Sequence, residues 1–283
     1  SDLGKVMLKQ HGAIVLIFLL SAITPAQAEE SILTFGVVPQ QAAKKLAKKW
    51  GPILQYVNAK TGLNIRFRTA PNIPEFEKRL SQGEYDLAYM NPYHYTVFGE
   101  HPGYQAFSKQ KNKRIKGIMV ARKDTEAKSL KDFSGNALAF PAPAAFAASI
   151  LTRSHLKESE IEFTPKYVKS HDSVYRSVAK GIFPSGGGVV RTFNNTDPAI
   201  REQLKIFWTS KTYTPHAFAA HPSMNRSTVA KVQQALVGMN QDPEAAALLK
   251  SINFKGFEKA THQDWDDVRA LKIDLLEDLK TAQ

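Results

Sequence analysis

An α/β fold in two lobes is what the sequence predicts, on three observations. Two runs of alternating strand-like and helix-like segments follow one another, each in the order β-α-β-α-β. The chain has 283 residues, 43% hydrophobic and 23% charged, enough for a substantial core and for two domains. Prolines and Thr-Gly or Asn-Pro pairs punctuate these segments at strand and helix spacing.

Residues 1–28 read as a secretory signal. Lys5 and Lys9 precede an apolar run at 13–23, and Ala26-Gln27-Ala28 is a small-x-small cleavage pattern. The run is shorter than the ~20 residues that a membrane-spanning helix needs. Met7 is the expected natural start, with residues 1–6 extraneous, and the mature chain is expected to begin near Glu29. Without cysteine, no lipid can be attached after cleavage, so no stable membrane anchor is expected.

In the first unit, ILTFGVV (32–38) is an apolar, buried-strand pattern ended by Pro39. Residues 41–59 have helical spacing, with Leu46, Trp50, Ile53, Leu54 and Val57 on one side. Gly51-Pro52 is expected to break or kink that helix. NIRFRT (64–69) alternates as a strand, 71–82 is helical, and YDLAYM (85–90) is a strand ended by Asn91-Pro92. This order implies a parallel sheet. Residues 103–107 and 114–121 read as two further strands.

The second unit opens with ALAFPAPAAFAASIL (137–151): a buried strand, a turn set by Pro141 and Pro143, and a helix from Ala144 to Lys157 with Pro143 in its first turn. Small residues and helix-start N–H groups at such a turn favour the close approach of an anion. Tight packing of a helix on a sheet uses the same residues. A strand (161–167), a helix (171–180), a glycine-rich strand start (186–191), a short helix (198–203) and a strand (205–209) follow. In the last part, Val229, Val232, Leu236 and Met239 make one apolar face. Thr261 with Asp264 forms a helix-start box, after which Trp265, Val268, Leu271 and Leu275 are expected to run along one long terminal helix.

The net charge of +12 favours anionic partners. The lysines are dispersed, as in Lys44, Lys45, Lys48 and Lys49, and no nucleic-acid-binding signature accompanies them. No G-x-S-x-G elbow, H-E-x-x-H pair or Walker pattern occurs, which leaves an exported hydrolase as the lesser alternative. Absent cysteine excludes disulfides and thiolate metal sites, and no cofactor is expected. His94, His171 and His216 lack the spacing and carboxylate partner of a metal site.

Two α/β units, an export signal and no catalytic motif point to a periplasmic solute-binding protein. VPQQAAKKLAKKWGPILQYVNAKTG, EKRLSQGEYDLAYMNPYHY and KSHDSVYRSVAKG resemble, in that order, segments of the phosphate/phosphite/phosphonate-binding (PhnD-like) family of ABC-transporter substrate-binding proteins. The second carries Gly83, Asp86, Ala88, Pro92 and Tyr95 of a G-x-x-D-x-A-x-x-x-P-x-x-Y signature. The resemblance spans about residues 31–279. It implies the type II periplasmic-binding-protein fold: two Rossmann-like lobes joined by two crossing strands, with a ligand cleft between them. Lobe one would hold 31–117 and, on the return, 215–283 with the C-terminal helices; lobe two would hold 118–214. The crossings would fall near 117–122 and 215–219.

The resemblance also implies a monomer that closes on a small anionic or zwitterionic ligand and docks on an ABC-transporter permease or a sensor kinase ectodomain, with no nucleic acid. Asn91, Tyr93, His94 and Tyr95 follow the strand end where ligand contacts are implied. His171, behind the cap Ser170, matches a histidine at a helix start facing the cleft. The family's hydroxyl-bearing turn departs here to Ala142, Pro143, Ala144, Ala145 and Phe146. Each lost donor removes ~1.5–3 kcal/mol from a charged ligand; either helix N–H groups and other side chains compensate for an anion, or the ligand has an apolar or aromatic part that stacks on Phe146. Arg191, after SGGGVV, is placed to pair bidentately with an oxyanion. The glycines themselves are read as close backbone packing. His216 lies at the second crossing, and Pro39, Gln40 and Phe76 are possible lobe-one contacts.

Overall fold

The computed structural model describes residues 31–281; the expected signal at 1–28 lies outside the described residues. The chain forms two mixed sheets, each with helices packed on it. In the first, β1 (Ile32–Val37) lies between β2 (Asn64–Arg68) and β3 (Leu87–Met90), all parallel. The expected parallel unit is thus present, but the sheet continues as mixed. β10 (Ala217–Ala220) runs antiparallel to β3 and to β4 (Gln105–Gln110), and β11 (Phe257–Lys259) antiparallel to β4. In the second, β7 (Thr164–Tyr167), β6 (Ala137–Phe140) and β8 (Ser185–Val189) are parallel. There β5 (Gly117–Arg122) runs antiparallel to β8 and to β9 (Leu204–Thr209).

Helix α1 (Ala43–Thr61) buries the five apolar residues named above on one side and ends where Gly62 takes a left-handed φ of 72°. The expected break at Gly51-Pro52 does not occur: the helix runs through Pro52. Proline removes one donor, to the carbonyl of Lys48, and Lys48 is a solvent-exposed residue of the helix. Helix α2 (Ile73–Ser81) is capped by Asn72, whose side chain accepts from the Glu75 amide at 2.9 Å. Helix α3 (Pro92–Phe98), not expected from the sequence, is capped by Asn91 with Pro92 in its first turn.

The alanine stretch differs from expectation at its start. Pro143 lies in an exposed turn, and the helix begins at Phe146, not Ala144. Residues 146–151 form wide π-type turns, in which the Ala145 carbonyl accepts from both Ser149 and Ile150, before α4 (Thr152–Glu158). The cause is contact with the sheet. A Cβ on Gly117 would lie 2.2 Å from the Ala147 carbonyl oxygen, and one on Gly187 1.9 Å from that of Ala148. The alanines and the glycines of β5 and β8 therefore let two backbones touch.

Helix α5 (His171–Ala179) is capped by Ser170, which accepts from the Ser173 amide at 3.1 Å. Strand β8 ends at Val189 and gives way to α6 (Val190–Asn194), so Arg191 sits in a helical turn rather than at a strand end. Helix α7 (Pro198–Arg201) leads into β9. Helix α8 (Arg226–Gly238) buries Val232 and Leu236, and α9 (Ala246–Ser251) buries Leu249. The Thr261–Asp264 box forms, but the long terminal helix does not. Helix α10 (Asp266–Arg269) closes on Lys272, at a left-handed φ of 49°, and α11 (Glu277–Thr281) starts afresh, so Leu271 and Leu275 are exposed.

Two segments, 111–116 and 210–216, carry the chain between the sheets. They precede the expected ranges by a few residues, because β5 belongs wholly to the second sheet and β10 wholly to the first. Ile115 and Tyr213 pair backbone to backbone where the segments meet.

Candidate functional site

The seam between the sheets is closed by few but specific contacts. Lys45 Nζ donates to the Asn195 carbonyl at 2.7 Å, and Asn91 Nδ2 to the Ala144 carbonyl at 3.2 Å. The Arg191 guanidinium donates to the Tyr89 hydroxyl at 2.7 Å and to Gln40 Oε1. Beside Arg191 lies a cavity of about 250 Å³. Tyr89 and Gln110 from the first sheet, Val189 from the second, Val190 from α6, and Lys113, Arg114, Lys116 and His216 from the crossing segments contribute to its wall. A recess of about 20 Å³, bounded by Gln40, Gln41 and Lys49, lies against Arg191 as well.

The wall is built on rigid supports. Tyr89, on β3, packs against Trp50 at 5.0 Å and Phe218 at 4.6 Å between ring centroids, and His216 stacks on it at 5.0 Å. Arg191 follows a strand end fixed by Tyr175, whose hydroxyl bonds both the amide and carbonyl of Val189 and, at 2.6 Å, Thr192 Oγ1. His171 Nδ1 joins the same Thr192 hydroxyl at 3.0 Å.

The site is electropositive. The two bonds of Arg191 go to neutral oxygens, so its charge is not cancelled by them. Burial lowers the Lys49 ammonium to about 8, with Lys45 and Arg191 adding to the effect and Asp172 opposing it. Burial first, then Arg191 and Lys116, also lowers Lys113. Burial pushes His171 down to about 3 and His216 well below the usual imidazole range, with Arg191 acting in the same direction on both. These imidazoles stay neutral near pH 7, and their buried Nε2 atoms have no hydrogen-bond partner.

Of the eleven residues expected to bind ligand, Arg191 and His216 line the cavity. His171 is buried behind it and supports the Arg191 turn. Asn91 caps α3 and touches the opposite lobe through Ala144. Three others serve the interior. The Tyr93 hydroxyl accepts from the Leu276 amide at 2.9 Å. His94 Nε2 lies 2.8 Å from the buried Glu77 carboxylate. The Tyr95 hydroxyl meets His262 Nδ1 at 2.9 Å, and its ring packs edge-on to Trp265. Pro143 is exposed; Ala144, Ala145 and Phe146 are buried, with Phe146 edge-on to Tyr213 rather than facing a cavity. Among the possible lobe-one contacts, Gln40 meets Arg191, whereas Phe76 packs on Tyr85 and His94. Tyr89, Lys113 and Lys116 were not foreseen as wall residues. Only the run KQKNKRIK (109–116) at a lobe junction could have pointed to the lysines. Among the described residues, no group of three His, Asp or Glu side chains could hold a metal ion, and no helix is long and apolar enough to cross a membrane.

Two α/β lobes, two crossing segments and a basic cavity at their junction define a two-lobed solute-binding protein. The family model for the periplasmic substrate-binding proteins of phosphonate ABC transporters matches residues 35–265, and the chain belongs to that family. The phosphate-import protein PhnD of Mycolicibacterium smegmatis is 22% identical over 266 residues, covering 83% of this chain and 78% of that protein. Among solved structures, PhnD1 of Prochlorococcus marinus, in complex with methylphosphonate, superposes with a TM-score of 0.77 at 16% identity, covering 85% of this chain and 96% of that one. A binding-protein component of an ABC phosphonate transporter from Pseudomonas aeruginosa gives 0.79 at 14% identity, with 86% of each chain covered. These likenesses carry the fold.

Proposed function

We propose that the chain binds a small phosphonate- or phosphate-like oxyanion in the seam cavity and presents it to an ABC transporter, with Arg191 as the principal anchor. The observation that carries this reading is the lobe-spanning guanidinium, held by neutral partners beside a cavity walled by Lys113, Arg114 and Lys116. A guanidinium so placed gives an oxyanion two parallel donors, and low local dielectric strengthens them. The bound anion screens the repulsion among Arg191, Lys113 and Lys116, so ligand and closed lobes favour one another. Tyr89 and the neutral His216 supply further polar contacts. Asn91, Ala144, Ala145 and Phe146 act as lobe-closing packing rather than as ligand contacts.

The M. smegmatis relative is a phosphate-import protein and the P. marinus neighbour was solved with methylphosphonate, which makes these two anions the first probes. Residues 1–28 are read as the export signal that brings the chain to the periplasm. It acts there as a monomer, releasing its ligand chemically unchanged. The closed form would serve a permease or, alternatively, a sensor kinase ectodomain; a neighbouring permease gene or histidine kinase gene separates the two.

Calorimetric titration of the mature chain with methylphosphonate and with phosphate tests the reading. Arg191→Gln is expected to weaken binding by about 30-fold or more, consistent with ~2–5 kcal/mol for truncating a desolvated charge contact. Wild-type binding of neither anion, or unchanged affinity in Arg191→Gln, would contradict it.

A further inference from the structure

The cavity wall contains Lys113, Arg114, Lys116 and Arg191 but neither an aspartate nor a glutamate. A nearby carboxylate, Asp267, is already engaged: it accepts from Arg114 at 3.0 Å and from both the amide and hydroxyl of Thr214. An ammonium group brought in on a ligand would lose its water, find no counter-charge on the wall and meet Lys113, Lys116 and Arg191, Arg114 being paired with Asp267. The cations also come from separate elements. Arg191 stands on α6 beside Tyr89, whereas Lys113 and Lys116 belong to the first crossing segment. Lys113 is half-buried, and among the described residues no carboxylate forms an ion pair with it. Apolar Val189, Val190, Ile115 and Pro215 complete the wall. A phosphonate head of about five heavy atoms fills a minor part of 250 Å³, given that a liquid water occupies about 30 Å³.

Resting on the reading of this cavity as an oxyanion site, we propose that the preferred ligand is an organic anion with two acidic groups and no ammonium, such as a phosphonate whose arm ends in a carboxylate, and that Lys113 selects for the second acidic group. Arg191 takes one acidic group, the arm lies along the apolar wall, and Lys113 takes the other.

The probes are methylphosphonate, 2-aminoethylphosphonate and phosphonoacetate, titrated into the full mature chain and into Lys113→Gln. Phosphonoacetate is expected to bind about tenfold or more tighter than methylphosphonate, and 2-aminoethylphosphonate about tenfold or more weaker. In Lys113→Gln methylphosphonate is expected to weaken as well, because a wall cation is lost, but phosphonoacetate should weaken by at least about threefold more, so that its advantage shrinks to about threefold or less. If methylphosphonate binds but the wild-type order differs, or if Lys113→Gln weakens all three alike, the inference is overturned and the oxyanion reading stands. If none of the three binds, both are overturned.

Discussion

Arg191 faces Gln40 and Tyr89 across the seam, and its charge reaches His171 and His216. His171 accordingly gives a pH test at the scale of one residue. Its imidazole has an ordinary value of 6.5 and is lowered to about 3 by burial and by Arg191. The unfolded chain therefore takes up a proton below about pH 6.5 that the folded chain refuses until about pH 3. This contribution to stability is complete above pH 6.5 and declines as the pH falls, by up to about 1.4 kcal/mol per pH unit. His216 acts in the same direction. Urea unfolding at pH 7, 6 and 5 should show falling stability in wild type and a shallower fall in His171→Asn; equal slopes would refute the assignment. At this scale, His171 was legible in part. Its helix-start position was readable, but its partner Thr192 lies 21 residues away and its burial is a tertiary property. Tyr93 and Tyr95 lie in the segment that carries the family signature, yet their hydroxyls meet Leu276 and His262, partners more than 160 positions away that local sequence does not show.

The alanine and glycine runs explain one another at the scale of elements. Residues 146–151 press their carbonyls onto β5 and β8, and only glycine leaves room there. Gly187→Ala would set a Cβ 1.9 Å from the Ala148 oxygen and 2.9 Å from the Phe140 ring, with backbone that cannot yield cheaply. Its cost is expected at ~3 kcal/mol or more, above the usual overpacking range of ~1–3 kcal/mol. Gly238→Ala, at the end of α8 with nothing within 4 Å, should instead stabilise by ~0.5–1 kcal/mol. Thermal melts of the two variants check the contrast; similar Tm values would contradict the packing account. Most strands and the main helices were readable because their periodicity is local. The π-type turns, the break after Arg269 and the passage of α1 through Pro52 were not. Each depends on what the segment packs against or on where a carbonyl meets water. Asn91-Pro92 ends a strand and equally caps a helix, and the structure uses the pair for both, closing β3 and starting α3.

Across the whole molecule, two sheets are joined by two short segments, and those segments bring the basic run 113–116 to the seam. Cleft contacts are expected at helix starts, the alanine turn, Arg191 and His216. The structure lines the cavity with Arg191 and His216 and adds a strand tyrosine and crossing-segment lysines. Local sequence could not reveal that convergence, since Tyr89 and Arg191 are 102 positions apart. Lobe closure and anion binding are one equilibrium in this account, because the cations that line the cavity belong to different elements and repel one another until an anion lies between them.

The most direct test is a crystal structure of the mature chain grown with methylphosphonate. The account predicts the phosphonate in the seam cavity, its oxygens within hydrogen-bond distance of the Arg191 guanidinium and both lobes in contact with it. A phosphonate bound instead at the turn 142–147, with only solvent beside Arg191, would contradict it.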